Sequence, residues 1–128
     1  LEENTLIVLT SDNGPWANYG NHAGSAGGLR EAKATTFDGG NRIPCVMYWK
    51  GVTQPGTSCN KLASNIDLLP TLAEISGAPL PQRKIDGVSI LPLIKGEKDA
   101  NPRESFVYYY HKNDIIMCRL LQQEPLWW

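Results

Sequence analysis

Charge of one sign is not in excess in this chain. Lys+Arg number 12 and Asp+Glu 13, a net of 12 − 13 = −1. Phosphate recognition needs clustered surplus Lys and Arg, so nucleic acid and polybasic membrane contact are not expected. No apolar run approaches the ~18 residues that read as a membrane-spanning helix, so no membrane span is expected. The cysteines are Cys45, Cys59 and Cys118, an odd count with no Cys-x-x-Cys pair. That excludes a closed disulfide framework and leaves the redox compartment open. Cys45 sits in an apolar run and reads as a core residue. Gly 12 and Pro 9 are somewhat above the usual share, which points to a loop-rich globular chain of one domain or part of one.

Thr5-Leu6-Ile7-Val8-Leu9-Thr10 is a short, nearly continuous apolar run. It reads as a strand buried on both faces, as in a parallel sheet covered by helices. Such a strand needs neighbours, and the start of the chain supplies none, as if it were cut from a longer one. Residues 11–42 are rich in Gly, Asn and Ser and show no sustained period. A turn of helix is expected around Leu29 to Lys33. Ile43 to Trp49 reads as a second strand, with Pro44 near its start. Asp67 is placed to cap a helix with Leu68, Leu69, Leu72 and Ile75 on its apolar face. Pro70 falls in that helix's first turn, and Gly77 and Pro79 end it. Ser89 is placed to cap a shorter helix through Lys95, stopped by Gly96. Phe106 to Tyr110 reads as a third strand. The expected core comprises Ile43 to Trp49, Leu68 to Ile75 and Phe106 to Tyr110.

Two local features carry chemistry. Asp12-Asn13-Gly14 stands at the carboxyl end of the first strand, where open α/β sheets bind ligands. Asp and Asn oxygens are hard ligands suited to Ca²⁺ or Mg²⁺, although the tripeptide is equally a turn signal. The second feature runs from Gly28 to Pro44. Arg30 and Lys33 stand three apart and would share a helical face, and a lysine is a compact point charge suited to an oxyanion. A solvated basic face paired with Glu31 and Asp38 explains the same pattern. Gly39-Gly40 fits a close backbone approach.

Taken in order, Asp12-Asn13-Gly14-Pro15 and then Gly28-Leu29-Arg30, Lys33, Thr35-Thr36-Phe37-Asp38-Gly39-Gly40, Arg42 and Pro44 resemble the sulfatase family, close to the arylsulfatases. So do Ser64-Asn65-Ile66-Asp67-Leu68-Leu69-Pro70, Gly77-Ala78-Pro79 and Asp86-Gly87-Val88. The similarity runs from about Thr5 to Asp114. It implies a partial alkaline-phosphatase-like α/β fold: parallel-sheet strands with flanking helices over residues 1–100, then the start of a small antiparallel sheet in a subdomain over 101–128. It further implies hydrolysis of sulfate monoesters at a divalent metal, usually Ca²⁺, with Asp12 and Asn13 as metal ligands. Lys33 matches the lysine that contacts the sulfate. Arg30 is a second candidate for substrate binding. His22, between the two features, is a candidate substrate contact or general acid, and an exposed loop residue on the plainer reading.

The family's nucleophile is a formylglycine made within a Cys/Ser-x-Pro/Ala-x-Arg element near the N-terminus. No cysteine or serine here stands in such an element. The chain therefore resembles the C-terminal part of a sulfatase and is expected to be inactive alone. Ile115 to Trp128 does not resemble the family's continuation, and His111 has no expected role. Alternatives are a phosphate or phosphonate monoester hydrolase of the same superfamily and a non-catalytic interaction module. A periplasmic or extracellular location follows from the resemblance. An uncovered first strand and the terminal Trp127 and Trp128 lead to an expected homo-oligomer or association through the strand edge.

Overall fold

The computed structural model describes residues 1–110 and 117–122. Expectations for His111, Trp127 and Trp128 lie outside them. The chain divides into two compact units. The first includes Leu1–Leu6 and Met47–Phe106; the second includes Ile7–Val46 and the strand residues from Val107.

Strand β1 spans Leu6–Thr10 and pairs with β2, Cys45–Trp49, in a two-stranded sheet. Their ends fix the direction. The Thr10 hydroxyl at the end of β1 donates to the Pro44 carbonyl just before β2 at 3.0 Å. At the other end, the Tyr48 hydroxyl donates to Glu2 Oε1 at 3.1 Å, and Lys50 Nζ lies 2.5 Å from Glu3. The two strands therefore run in opposite directions, which corrects the parallel reading. The apolar run of β1 was insufficient to tell the two arrangements apart, because direction depends on which neighbour the strand finds. The hydrogen bond to Glu2 favours the protonated phenol and raises the Tyr48 pKa above its usual 10.0.

Nor is β1 covered on both faces. Leu6, Val8 and Thr10 are half-buried, while Ile7 and Leu9 are exposed. On β2, Val46 is exposed, and so is Cys45, which is a free thiol and not part of a core.

The packed core sits in the first unit. Helix α2 spans Leu68–Ser76, and Gly77 closes it in the left-handed conformation at φ 69°, as only glycine does cheaply. Pro70 is tolerated in the first turn, where its missing N–H costs nothing. The buried face is Pro70, Thr71 and Ala73, whereas Leu69 and Leu72 point outward. That corrects the predicted face at Leu69 and Leu72, whereas Leu68 and Ile75 are half-buried. A short helix α3, Leu91–Ile94, packs on α2 and contributes buried Leu91 and Ile94 beside Ile90. Ser89 Oγ accepts the Leu91 N–H at 3.3 Å, but Ile90 and not Ser89 stands at the N-cap and the helix ends at Ile94, one residue short of the expected Lys95, with Gly96 following at φ 72°.

Asp67 stands at the N-cap position of α2 but its side chain makes no cap bond to that helix, which corrects the predicted role. It closes a 3₁₀ turn, Asn65–Asp67, through a reciprocal capping box with Ser64. Fully buried, its carboxylate also accepts the Val88 N–H at 2.9 Å and a two-pronged contact from the Arg103 guanidinium.

Strand β3, Ser105–Tyr110, pairs with β4, Met117–Gln122, in a second sheet. Six intervening residues are too few for a parallel crossover, so this pair is an antiparallel hairpin. The expected small antiparallel sheet is present, and it reaches into the stretch from Ile115 whose sequence gave little sign of it. Among the described residues no helix is long and apolar enough to cross a membrane.

Candidate active site

The site lies within the second unit and starts where β1 ends. Ser11 Oγ donates to the Asn13 carbonyl at 2.8 Å, bending the chain out of the strand. Asn13 Nδ2 then donates to the Asp12 carboxylate, so the two side chains face one another. Asp12 is exposed and Asn13 half-buried.

Three backbone segments are stacked against this turn. Gly14 N–H donates to the Gly40 carbonyl at 2.8 Å, Lys33 N–H to the Pro15 carbonyl at 2.9 Å, and Gly39 N–H to the Arg30 carbonyl at 2.7 Å. Gly39 and Gly40 form the buried middle of a four-residue helical turn, α1, Asp38–Asn41. A methyl group on Gly14 would collide with the Gly39 carbonyl, one on Gly39 with the Glu31 carbonyl, and one on Gly40 with the Ala32 carbonyl. The close approach anticipated at Gly39-Gly40 is thus seen, with Gly14 as its third member.

The same stack explains the conformation around the lysine. Glu31 and Ala34, on either side of Ala32-Lys33, are held at φ 65° and 72°. Each left-handed non-glycine residue costs ~1–3 kcal/mol and persists only where its surroundings over-determine it. Two such residues interrupt any helix, so the predicted helical turn at Leu29 to Lys33 does not form. Arg30 and Lys33 consequently share no helical face. The Arg30 guanidinium lies 3.8 Å from the centre of the Phe37 ring, whereas Lys33 Nζ lies 5.5 Å from that of Trp16.

A shallow cavity of about 280 Å³ opens here, and Asn13 and Lys33 both line it, together with Thr35, Thr36, Asn41 and Tyr108. The structure therefore brings together two of the predicted site residues, and Asp12 adjoins them. Arg30 and His22 do not line the cavity. His22 is exposed at the end of a 3₁₀ segment, Ala17–His22, that is broken at Gly20. Thr35, Thr36, Asn41 and Tyr108 had no assigned role in the sequence. Thr36 is 5% exposed. Asn41 Nδ2 holds the loop by donating to the Thr35 and Phe37 carbonyls at 2.8 and 3.1 Å. An amide following two glycines was the available signal, but its carbonyl partners appear only once the chain has folded back on itself.

Chemically, the cavity is lined by the amide residue Asn13 and by Lys33, and the Asp12 carboxylate stands beside Asn13. Asp12 and Asn13 are hard oxygen donors of the kind Ca²⁺ accepts, although Ca²⁺ takes roughly six to eight oxygens. Among the described residues no three His, Cys, Asp or Glu side chains gather as a metal cluster. The donor set fits one side of such a site.

Comparison with known proteins points to one family at each level. Residues 32–119 match the family described as N-sulphoglucosamine sulphohydrolase, C-terminal. The chain is 44% identical to human arylsulfatase A over 109 residues, covering 85% of the chain and 21% of that protein. To rat steryl-sulfatase it is 40% identical over 116 residues, covering 86% of the chain and 20% of that protein. Among solved structures it resembles the PsFucS1 sulfatase of Pseudoalteromonas sp. with a TM-score of 0.77 at 26% identity, over 95% of this chain and 29% of that one. It also resembles BT4656, solved in complex with its substrate D-glucosamine-2-N,6-O-disulfate, with a TM-score of 0.66 at 26% identity, over 87% of this chain and 21% of that one. The chain spans about a fifth of the length of the curated relatives it matches.

Proposed function

Because the chain belongs to the sulfatase family, we propose that it carries the metal-ligand and lysine side of a site that hydrolyses sulfate monoesters. The observation that supports this most directly is the shared cavity of Asn13 and Lys33, two residues twenty positions apart held together by backbone hydrogen bonds. Asp12 and Asn13 would hold a divalent cation, in our reading Ca²⁺, which when bound polarises a sulfate oxygen as a Lewis acid. Lys33 places its ammonium where the ester's anionic head lies and where charge grows on the leaving oxygen. Fixed positive charge of this kind acts on the transition state at no reorganisation cost. Asn41 and the glycine stack keep the lysine and the Asp12-Asn13 turn in register.

The nucleophile of this reading, a formylglycine, is contributed from outside the chain, whose own sequence has no Cys/Ser-x-Pro/Ala-x-Arg element. The chain by itself is expected to be inactive. A periplasmic or extracellular location belongs to the same proposal. His22 and Arg30 remain candidates for contacts with the remainder of the substrate, outside the cavity lining.

The test is made on the full-length enzyme that contains this chain, with a chromogenic aryl sulfate. Lys33→Ala is expected to lower kcat by about 10²–10³-fold, the cost of losing one preorganised charge-stabilising group. Asp12→Ala is expected to remove activity and to remove stoichiometric Ca²⁺ binding measured by calorimetry. Near-normal turnover in Lys33→Ala would refute the assignment.

A further inference from the structure

Lys33 stands in a loop whose backbone is held against its own preference. Glu31 and Ala34, on either side of it, both lie in the left-handed region at φ 65° and 72°, which the Cβ of a non-glycine residue disfavours. One anchor of the loop is the Lys33 N–H, which donates to the Pro15 carbonyl at 2.9 Å. The other is Thr35. Its hydroxyl donates to the Ala32 carbonyl at 2.9 Å and accepts the Phe37 N–H at 3.4 Å. The first of these bonds passes over Lys33 and Ala34 and closes a small ring of chain with the lysine inside it. The Thr35 carbonyl is held in turn by Asn41 Nδ2 at 2.8 Å. Thr35 is half-buried and lines the cavity with Lys33. Its hydroxyl is also packed against the glycine turn, since a methyl group on Gly40 would meet that oxygen at 3.0 Å.

Lys33 is exposed, and its long stem is flexible. Where its ammonium points is therefore governed by how firmly the neighbouring residues fix its backbone. We propose that Thr35 is a positioning residue for the reaction assigned above: its hydroxyl clasps the loop and keeps Lys33 aimed at the cavity. This rests on the reading of Lys33 as the sulfate contact. With the clasp removed, Ala34 is free to leave the left-handed region, and the lysine's backbone turns with it. Such a lysine still meets an anionic head in the ground state, because a mobile ammonium attracts sulfate from many directions. It loses its fixed place at the moment charge moves onto the leaving oxygen, and preorganised charge acts by not having to move. Loss of the clasp therefore falls on kcat and leaves KM nearly unchanged.

The experiment uses the full-length enzyme and 4-nitrophenyl sulfate. Thr35→Val keeps the branched shape and removes the hydroxyl. It is expected to lower kcat about ten- to hundredfold, the scale of a catalytic group displaced by roughly an ångström. KM should stay close to that of the unaltered enzyme. Thr35→Ser, which retains the hydroxyl, is expected to recover most of the lost turnover. Thr35→Ala leaves room for a water at the Ala32 carbonyl, and serves where Thr35→Val does not fold. The deciding measurement repeats the Thr35 substitution in a Lys33→Ala background. A residue that acts through Lys33 has little left to lose there, so the double variant should turn over about as fast as Lys33→Ala alone. A residue that merely supports the fold would lower both backgrounds by the same factor. Equal factors in the two backgrounds would overturn the proposal. So would near-normal kcat in Thr35→Val and Thr35→Ala beside an impaired Lys33→Ala, and so would a raised KM at unchanged kcat, which would make Thr35 a substrate contact. Near-normal turnover in Lys33→Ala itself would instead overturn the reading of the lysine on which the proposal rests.

Discussion

At the scale of single residues, Asp67 and Arg103 make the most consequential pair in the first unit. Asp67 is fully buried, and its oxygens receive two backbone N–H groups and the Arg103 guanidinium. Arg103 also donates to the Asp86 carbonyl at 2.9 Å and lies over the Phe106 ring at 5.2 Å. Removing one partner of a buried pair strands the other's charge, at a typical cost of ~3–5 kcal/mol. Arg103→Ala is therefore expected to destabilise the unit by about that amount in urea unfolding, whereas Lys50→Ala, whose partners Glu2 and Glu3 are exposed, should cost under ~1 kcal/mol. In the sequence Asp67 reads as the cap of α2, a local signal, yet its carboxylate turns to Ser64, Val88 and Arg103 and makes no cap bond to that helix. Its ion pair spans 36 positions, and nothing near Arg103 announces it. Gly39-Gly40 was legible for the opposite reason: two adjacent glycines imply a close approach whatever approaches them. That Asp12-Asn13 and Lys33 lie together came from the ordered motif and not from any spacing rule.

At the scale of elements, α2 and β1 show which part of a helix or strand its sequence specifies. The ends of α2 follow from Pro70 and Gly77, whose backbone preferences act locally. Its buried face does not follow from the positions of Leu69 and Leu72, which remain outward among the described residues. The face is instead set by Thr71, which is 1% exposed; its hydroxyl donates to the Asp67 carbonyl at 2.6 Å and accepts the Ile90 N–H at 2.9 Å. That one hydroxyl links the start of α2 to the entry of α3. Thr71→Val keeps the shape but leaves the buried Ile90 N–H without its acceptor, a loss of ~1–3 kcal/mol. Chemical denaturation should register it, while Leu72→Ser on the exposed face should change stability by less. On β1, composition signalled a strand correctly and its direction and covering incorrectly, since both are properties of the neighbours.

At the scale of the whole molecule, the apolar residues are unevenly satisfied. Ala73, Ile90, Leu91 and Ile94 are the buried hydrophobic residues among those described, against exposed Ile7, Leu9, Val46, Leu69 and Leu72. We propose that β1 and β2 associate with a second copy when the chain is isolated, because exposed strands offer both a template and an apolar face. Sedimentation should show concentration-dependent association that Leu9→Lys weakens, and a monomer at all concentrations would contradict it. The uncovered face of β1 has a calorimetric consequence as well. The heat-capacity increment of unfolding reports apolar surface newly wetted, and surface already wet in the folded chain contributes nothing. Dilute monomer should therefore unfold with an increment below the ~12–15 cal/mol/K per residue of compact domains. Its stability curve against temperature would be correspondingly flat, so that cooling changes its stability little.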